Sequence, residues 1–166
     1  MISKRIKLLK KKFSKYNVDG YVVPKNDEFF SEYAAQDRLK NISNFTGSAG
    51  LAIITKKKNL LFVDGRYTIQ AQEQSGKQFK IIKIHEVLPY KIIKNITLGF
   101  DPSLFTYKQL NIYFKKSIKL KPINKNLIDE IYNSRKLKNK SFYSLNDKIV
   151  GESTKSKINK IVKVLK

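Results

Sequence analysis

The sequence has no cysteine, no tryptophan, one histidine and four arginines. Without cysteine there is no disulfide scaffold, no thiolate metal site and no cysteine nucleophile. A lone His85 excludes every site built on two imidazoles, the HExxH zinc sites among them. No apolar run reaches the ~20 residues that a membrane-spanning helix requires, so no membrane partner is expected. Acids are scarce too: 13 Asp and Glu stand against 35 Lys and Arg, a formal net charge of +22.

What is present suffices for a core. The 166 residues are 41% hydrophobic, with 10 Phe and 9 Tyr, and a chain of this length buries roughly 70% of the surface its unfolded form exposes. The charge makes a stand-alone basic module for nucleic acid or another polyanion one function class. Composition argues against it. Of the basic residues 31 are Lys, whereas base reading and bidentate phosphate contacts favour the planar fork of Arg. The Lys excess travels with 20 Ile and 13 Asn, residues with A/T-rich codons, which points to genome composition. No specific nucleic-acid partner is expected.

Along the chain, Ile2, Ile6, Leu9 and Phe13 share one face of a basic amphipathic helix within Met1 to Tyr16. No presequence cleavage pattern follows it, so it reads as a surface helix packed on the next element, Val18 to Pro24, a turn into a buried strand ended by Pro. Gly47 and Gly50 bracket a tight turn before a buried strand from Leu51 to Thr55. Lys56-Lys57-Lys58-Asn59 then turns the chain into a return strand, Leu60 to Val63. Asp64 stands where a helix N-cap belongs. Further strands are expected over Phe79 to His85, Ile96 to Phe100 and, as an edge strand stopped by Pro122, Ile118 to Ile123. A helix is expected from Thr106 to about Lys116, with Leu110, Tyr113 and Phe114 inward, and a short one over Leu127 to Tyr132. Strands alternating with helices make this an α/β protein. Three segments result: a domain over residues 1–135, a polar Ser/Asn/Lys-rich linker over 136–150, and a helix over 151–166. In that helix Ser153 is a plausible N-cap, and Ile158, Ile161, Val162 and Leu165 form an apolar face that nothing later covers, which suggests a piece of a longer polypeptide.

The residues supply little equipment for catalysis. Ser48, between Gly47 and Gly50, lacks the spacing and the preceding strand of a nucleophile elbow. The same loop precedes a strand, not a helix N-terminus, so a phosphate cradle is not expected either. His85 reads as an ordinary strand-end histidine. Asp27, Glu28, Glu32 and Asp37 are close in sequence only, and read as caps or partners of nearby Lys rather than metal ligands. No catalytic residue and no metal-binding residue is assigned.

One ordered set of segments is more specific. Val22-Val23-Pro24, Ser31-Glu32-Tyr33, Arg38-Leu39, Asn44-Phe45-Thr46-Gly47-Ser48-Ala49-Gly50, Val63-Asp64-Gly65-Arg66-Tyr67 and Gln70-Ala71 resemble the amino-terminal domain of Xaa-Pro aminopeptidases, in the creatinase/prolidase superfamily. Asn126 to Arg135 is similar to the segment that closes that domain, and Gly151-Glu152-Ser153 with Lys157 to the start of the next domain's first helix. There are departures: Phe29 stands where the family has His, Asn44 where it has Gly, and Tyr132-Asn133-Ser134-Arg135 replaces a Trp-containing closing segment.

The resemblance implies a three-layer α/β/α domain with a mixed sheet, ribonuclease H-like in topology. It implies a non-catalytic, cytoplasmic domain that helps shape the site of a peptidase releasing the residue before proline. The parent would act on proline-containing peptides, be capable of forming a homodimer, and carry two divalent metals, typically manganese, in a C-terminal domain outside these residues. It further implies that Arg66 contacts substrate. The alternative for Arg66 is that it pairs with Asp64 and merely fixes the turn.

Overall fold

A computed structural model describes residues 2–31, 36–115, 118–132, 141 and 143–165. The chain divides into two compact units, Met1–Arg135 and Lys136–Lys166.

The first unit opens with α1 (Ile2–Lys12), whose Ile6 and Leu9 are buried, and the chain turns back so that Phe13 is buried too. Strand β1 (Gly20–Pro24) is buried throughout. Its first residue must be glycine, because a Cβ there would lie 2.8 Å from the Ile54 carbonyl oxygen on the neighbouring strand. Helix α2 (Arg38–Ser43) starts at Asp37, whose carboxylate accepts the Lys40 N–H, and stops at Asn44 in the left-handed region, φ 67°. Strands β2 (Gly50–Thr55) and β3 (Asn59–Val63) form the expected hairpin over the lysine turn.

A 3-10 turn (Gly65–Tyr67) leads into α3 (Thr68–Ser75) and β4 (Lys80–Lys83). β4 is shorter than expected, because Glu86 and Val87 both donate their N–H to the Lys83 carbonyl and fold the chain away. A further helix, α4 (Pro89–Ile92), uses Pro89 in its first turn. Then come β5 (Ile96–Phe100), a 3-10 turn at Pro102–Leu104, α5 (Tyr107–Tyr113), β6 (Ile118–Pro122) and α6 (Leu127–Ile131). α5 begins in a reciprocal cap between Thr106 and Gln109. It ends before Lys116, which lies outside the described residues.

The six strands are ordered β4-β3-β2-β1-β5-β6. Only β2 runs against the others, pairing antiparallel with β1 and β3, while β3/β4, β1/β5 and β5/β6 are parallel. Alternating side chains divide the interior in two. Tyr21, Val23, Ile54, Leu61 and Val63 pack under α1, α2, α3 and α6. Val22, Ile53, Phe62 and Leu98 face the opposite layer, where Ile93, Phe105 and Phe114 sit. The result is the three-layer α/β/α sandwich with a mixed sheet.

In the second unit, α7 (Asp147–Val150) lies within the stretch read as linker. Asn146 caps it by accepting the Lys148 N–H, and Gly151 closes it at φ 78°. Helix α8 (Thr154–Leu165) follows, with Ser153 accepting the Ser156 N–H. Ile158, Ile161, Val162 and Leu165 are all exposed. Residues 133–140 and 142 of the closing segment and linker, and Glu32-Tyr33, lie outside the described residues.

Candidate functional site

Because β1, β3, β4 and β5 run the same way, their carboxyl ends meet along one edge of the sheet. The blocks containing Gly47-Ser48 and Asp64-Gly65-Arg66-Tyr67 come together there. Asp64 follows β3 and caps the 3-10 turn, accepting the Arg66 backbone N–H at 3.0 Å and its Nε at 2.9 Å. Those two donors, the side-chain one first, hold the Asp64 carboxyl below the usual carboxylate range. The Arg66 guanidinium lies over the Tyr67 ring, 5.6 Å from its centroid. Its side chain is nonetheless 76% exposed. The pair with Asp64 therefore orients the guanidinium at the surface rather than burying it.

Tyr67 is fixed from behind. Its hydroxyl shares a 2.8 Å hydrogen bond with Ser48 Oγ, and its ring meets buried Phe45 edge to face at 5.9 Å and 76°. Gly47 passes so close to both rings that a Cβ would lie 2.3 Å from Phe45 Cζ and 3.0 Å from Tyr67 Cδ1. The loop also docks on α3, where Gln70 donates to Thr46 Oγ1 at 2.8 Å and Gln74 Oε1 accepts the Thr46 N–H at 2.9 Å. Ser48 is thus a partner of Tyr67 and part of a turn.

The three described acids of this stretch do not converge. Asp27 accepts the N–H groups of Phe29 and Ser31, Glu28 lies 3.5 Å from Arg38, and Asp37 caps α2 while receiving Lys25. Glu32 lies outside the described residues. Among the described residues no group of three His, Asp or Glu could hold a metal ion. His85, expected at a strand end, is exposed in the turn that follows β4, its ring over Gly65 and its Nε2 3.8 Å from Glu86.

Two features escape a linear reading. Arg38, only 9% exposed, grips Asp129 through Nε at 2.9 Å and Nη2 at 2.8 Å, tying α2 to α6. The second is a pocket of about 240 Å³ at the shared strand edge, lined by Pro24, Asn26, Ser48, Ala49, Asp64 and Phe105 among others. Its residues come from β1, β2 and β3 and the loops at their ends, from the turn after β4, and from α5 and the loop before it, too far apart in sequence to suggest a cavity.

Residues 5–131 match the model of the creatinase/prolidase N-terminal domain. The chain is 34% identical over 176 residues to "Probable Xaa-Pro aminopeptidase P" of Coprinopsis cinerea, covering 96% of this chain and 28% of that protein. It is 38% identical over 130 residues to aminopeptidase P1 of Lotus japonicus, covering 71% of this chain and 20% of that one. Among solved structures, the X-prolyl aminopeptidase of Caenorhabditis elegans, described as a cytosolic enzyme with a di-nuclear active site, superposes with a TM-score of 0.75 at 25% identity. That match covers 99% of this chain and 31% of the enzyme. The chain thus spans less than a third of each. These matches lend no support to a polyanion-binding module.

Proposed function

Because the chain belongs to the creatinase/prolidase N-terminal domain family, we propose that it is the non-catalytic N-terminal domain of a metal-dependent Xaa-Pro aminopeptidase, and that Arg66 contacts the peptide. In this reading residues 1–135 are the N-terminal domain, 136–150 the connection and 151–166 the first helix of a second domain. The parent hydrolyses the bond before proline in the cytoplasm. Its two divalent metals, manganese by this proposal, would be held by residues beyond this chain, so no catalytic step runs through the residues described above.

The observation that carries the proposal is the Arg66–Asp64 pair. A guanidinium oriented by a carboxylate yet exposed to solvent can still offer donors to a peptide carbonyl or carboxylate. Arg38 contrasts with it, a buried guanidinium that ties two helices together through Asp129.

The test is kinetic. In the full-length enzyme Arg66→Ala should lower kcat/KM for an Arg-Pro peptide, and Arg66→Lys should recover only part of it. The isolated chain carrying Arg66→Ala should keep its stability within ~0.5 kcal/mol. A normal kcat/KM in the full-length variant refutes the substrate role. Metal-dependent turnover by the isolated chain refutes the non-catalytic assignment.

A further inference from the structure

The pocket beside Asp64 has a position that the topology makes meaningful. After β1 the sheet grows one way through β2, β3 and β4, and the chain then returns to add β5 and β6 on the other side of β1. The β1/β5 seam is therefore the switch point of the sheet, and in open α/β sheets ligands settle in the crevice outside the carboxyl ends there. The pocket opens beside that place, with Pro24 ending β1, Asn26 just after it and Phe105 beyond β5. Cavity and topology are independent observations, and they coincide.

Its lining states what it can hold. Leu51, Phe62, Val63, Ile84 and Phe105 give it an apolar base, and Asn26, Ser48, Asp64 and Gln109, with Lys25 held by Asp37, give it a polar rim. At about 240 Å³ it is smaller than the ~300–1,000 Å³ of sites that enclose a whole small molecule. It suits one side chain of a larger ligand, with the amides and hydroxyl at the rim facing a peptide backbone. Asp64 belongs to the rim and holds Arg66 at 2.9 Å, so pocket and guanidinium are two parts of one surface.

We propose that this pocket is a subsite that takes an apolar side chain, downstream of the proline, from the same peptide that Arg66 engages. This rests on the peptide-site reading of Arg66 given above. The interaction is non-covalent, and its selectivity comes from removing apolar surface from water.

The experiment uses the ¹⁵N-labelled chain titrated with Ala-Pro-Phe and with Ala-Pro-Gly at millimolar concentration, following backbone amides by NMR. Ala-Pro-Phe should move the amides of Asn26, Ala49 and Phe105 and bind at least about tenfold more tightly than Ala-Pro-Gly, as expected for burying an aromatic side chain. Ala49→Leu, which fills the pocket, should abolish that preference, whereas Arg66→Ala should weaken both peptides alike. If the variant does not fold, the comparison of the two peptides on the unaltered chain decides. Equal binding, with the Arg66 amide moving and the pocket amides silent, overturns the subsite and leaves the peptide-site reading standing. If neither peptide moves any amide at this edge, the subsite and the peptide-site reading both fall.

Discussion

Tyr16 donates its hydroxyl to Glu130 Oε1 at 2.6 Å, joining the chain just after α1 to the last helix of the first unit. Lys12 adds an ion pair to the other oxygen at 2.7 Å, and the Glu130 side chain is only 7% exposed. Lys12 first, then Tyr16, draws the Glu130 carboxyl from its ordinary 4.5 down to about 2.

That shift fixes the sign of an acid dependence. The folded carboxyl releases its proton more readily than the unfolded one, so the stabilisation is fully present above about pH 4.5 and is lost as pH falls toward 2. Denaturation midpoints should therefore decline through this window. In Glu130→Gln the decline should be shallower. Parallel pH curves for the two proteins would show that other groups govern the acid limit.

Arg38→Ala should cost about 2 kcal/mol, read from urea denaturation. Removing one partner of a buried pair costs ~3–5 kcal/mol, but Asp129 is 37% exposed and regains water. Arg38→Lys should fall between, since an ammonium cannot reproduce the fork that meets both carboxylate oxygens.

Gly47→Ala should destabilise by about 1–3 kcal/mol, the range for forcing extra carbon into a filled space. The added Cβ would meet Phe45 and Tyr67, so near-ultraviolet circular dichroism should change with the stability. Tyr67→Phe, which removes only the hydroxyl bonded to Ser48, should cost ~0.5–1.5 kcal/mol and leave the packing intact.

Removing residues 151–166 should move Tm by less than ~2 °C, because the apolar side chains of α8 are exposed and shedding them forfeits little buried surface. A fall of many degrees would assign that helix to the core of the rest. Calorimetry of the shortened chain gives the answer.

The elements that were legible in the sequence are those with local causes. Buried runs such as Leu60 to Val63, the cap at Asp64 and the lysine turn each depend on neighbours a few residues away. The face Ile6, Leu9 and Phe13 was legible by its spacing. The Arg38–Asp129 pair was not, since its partners stand 91 residues apart and any acid could have served. The pocket was illegible for a similar reason: strand order, not composition, gathers its walls. The end of β4 was misjudged because Ile84 continues the alternation, while hydrogen bonds to the Lys83 carbonyl already curl the chain.

The sheet order also has a consequence for synthesis. β1, β2 and β3 can pair as soon as they leave the ribosome, since β2 follows β1 after the single helix α2 and β3 follows β2 through the lysine turn. The other side of β1 must wait, because Gly20 and Tyr21 pair with Leu98 and Gly99. Until β5 emerges, that apolar strand presents open amide and carbonyl groups to any neighbouring chain. Nascent chains stalled between β4 and β5 should thus be the ones that most need a chaperone, and slow codons in that interval the most damaging to yield.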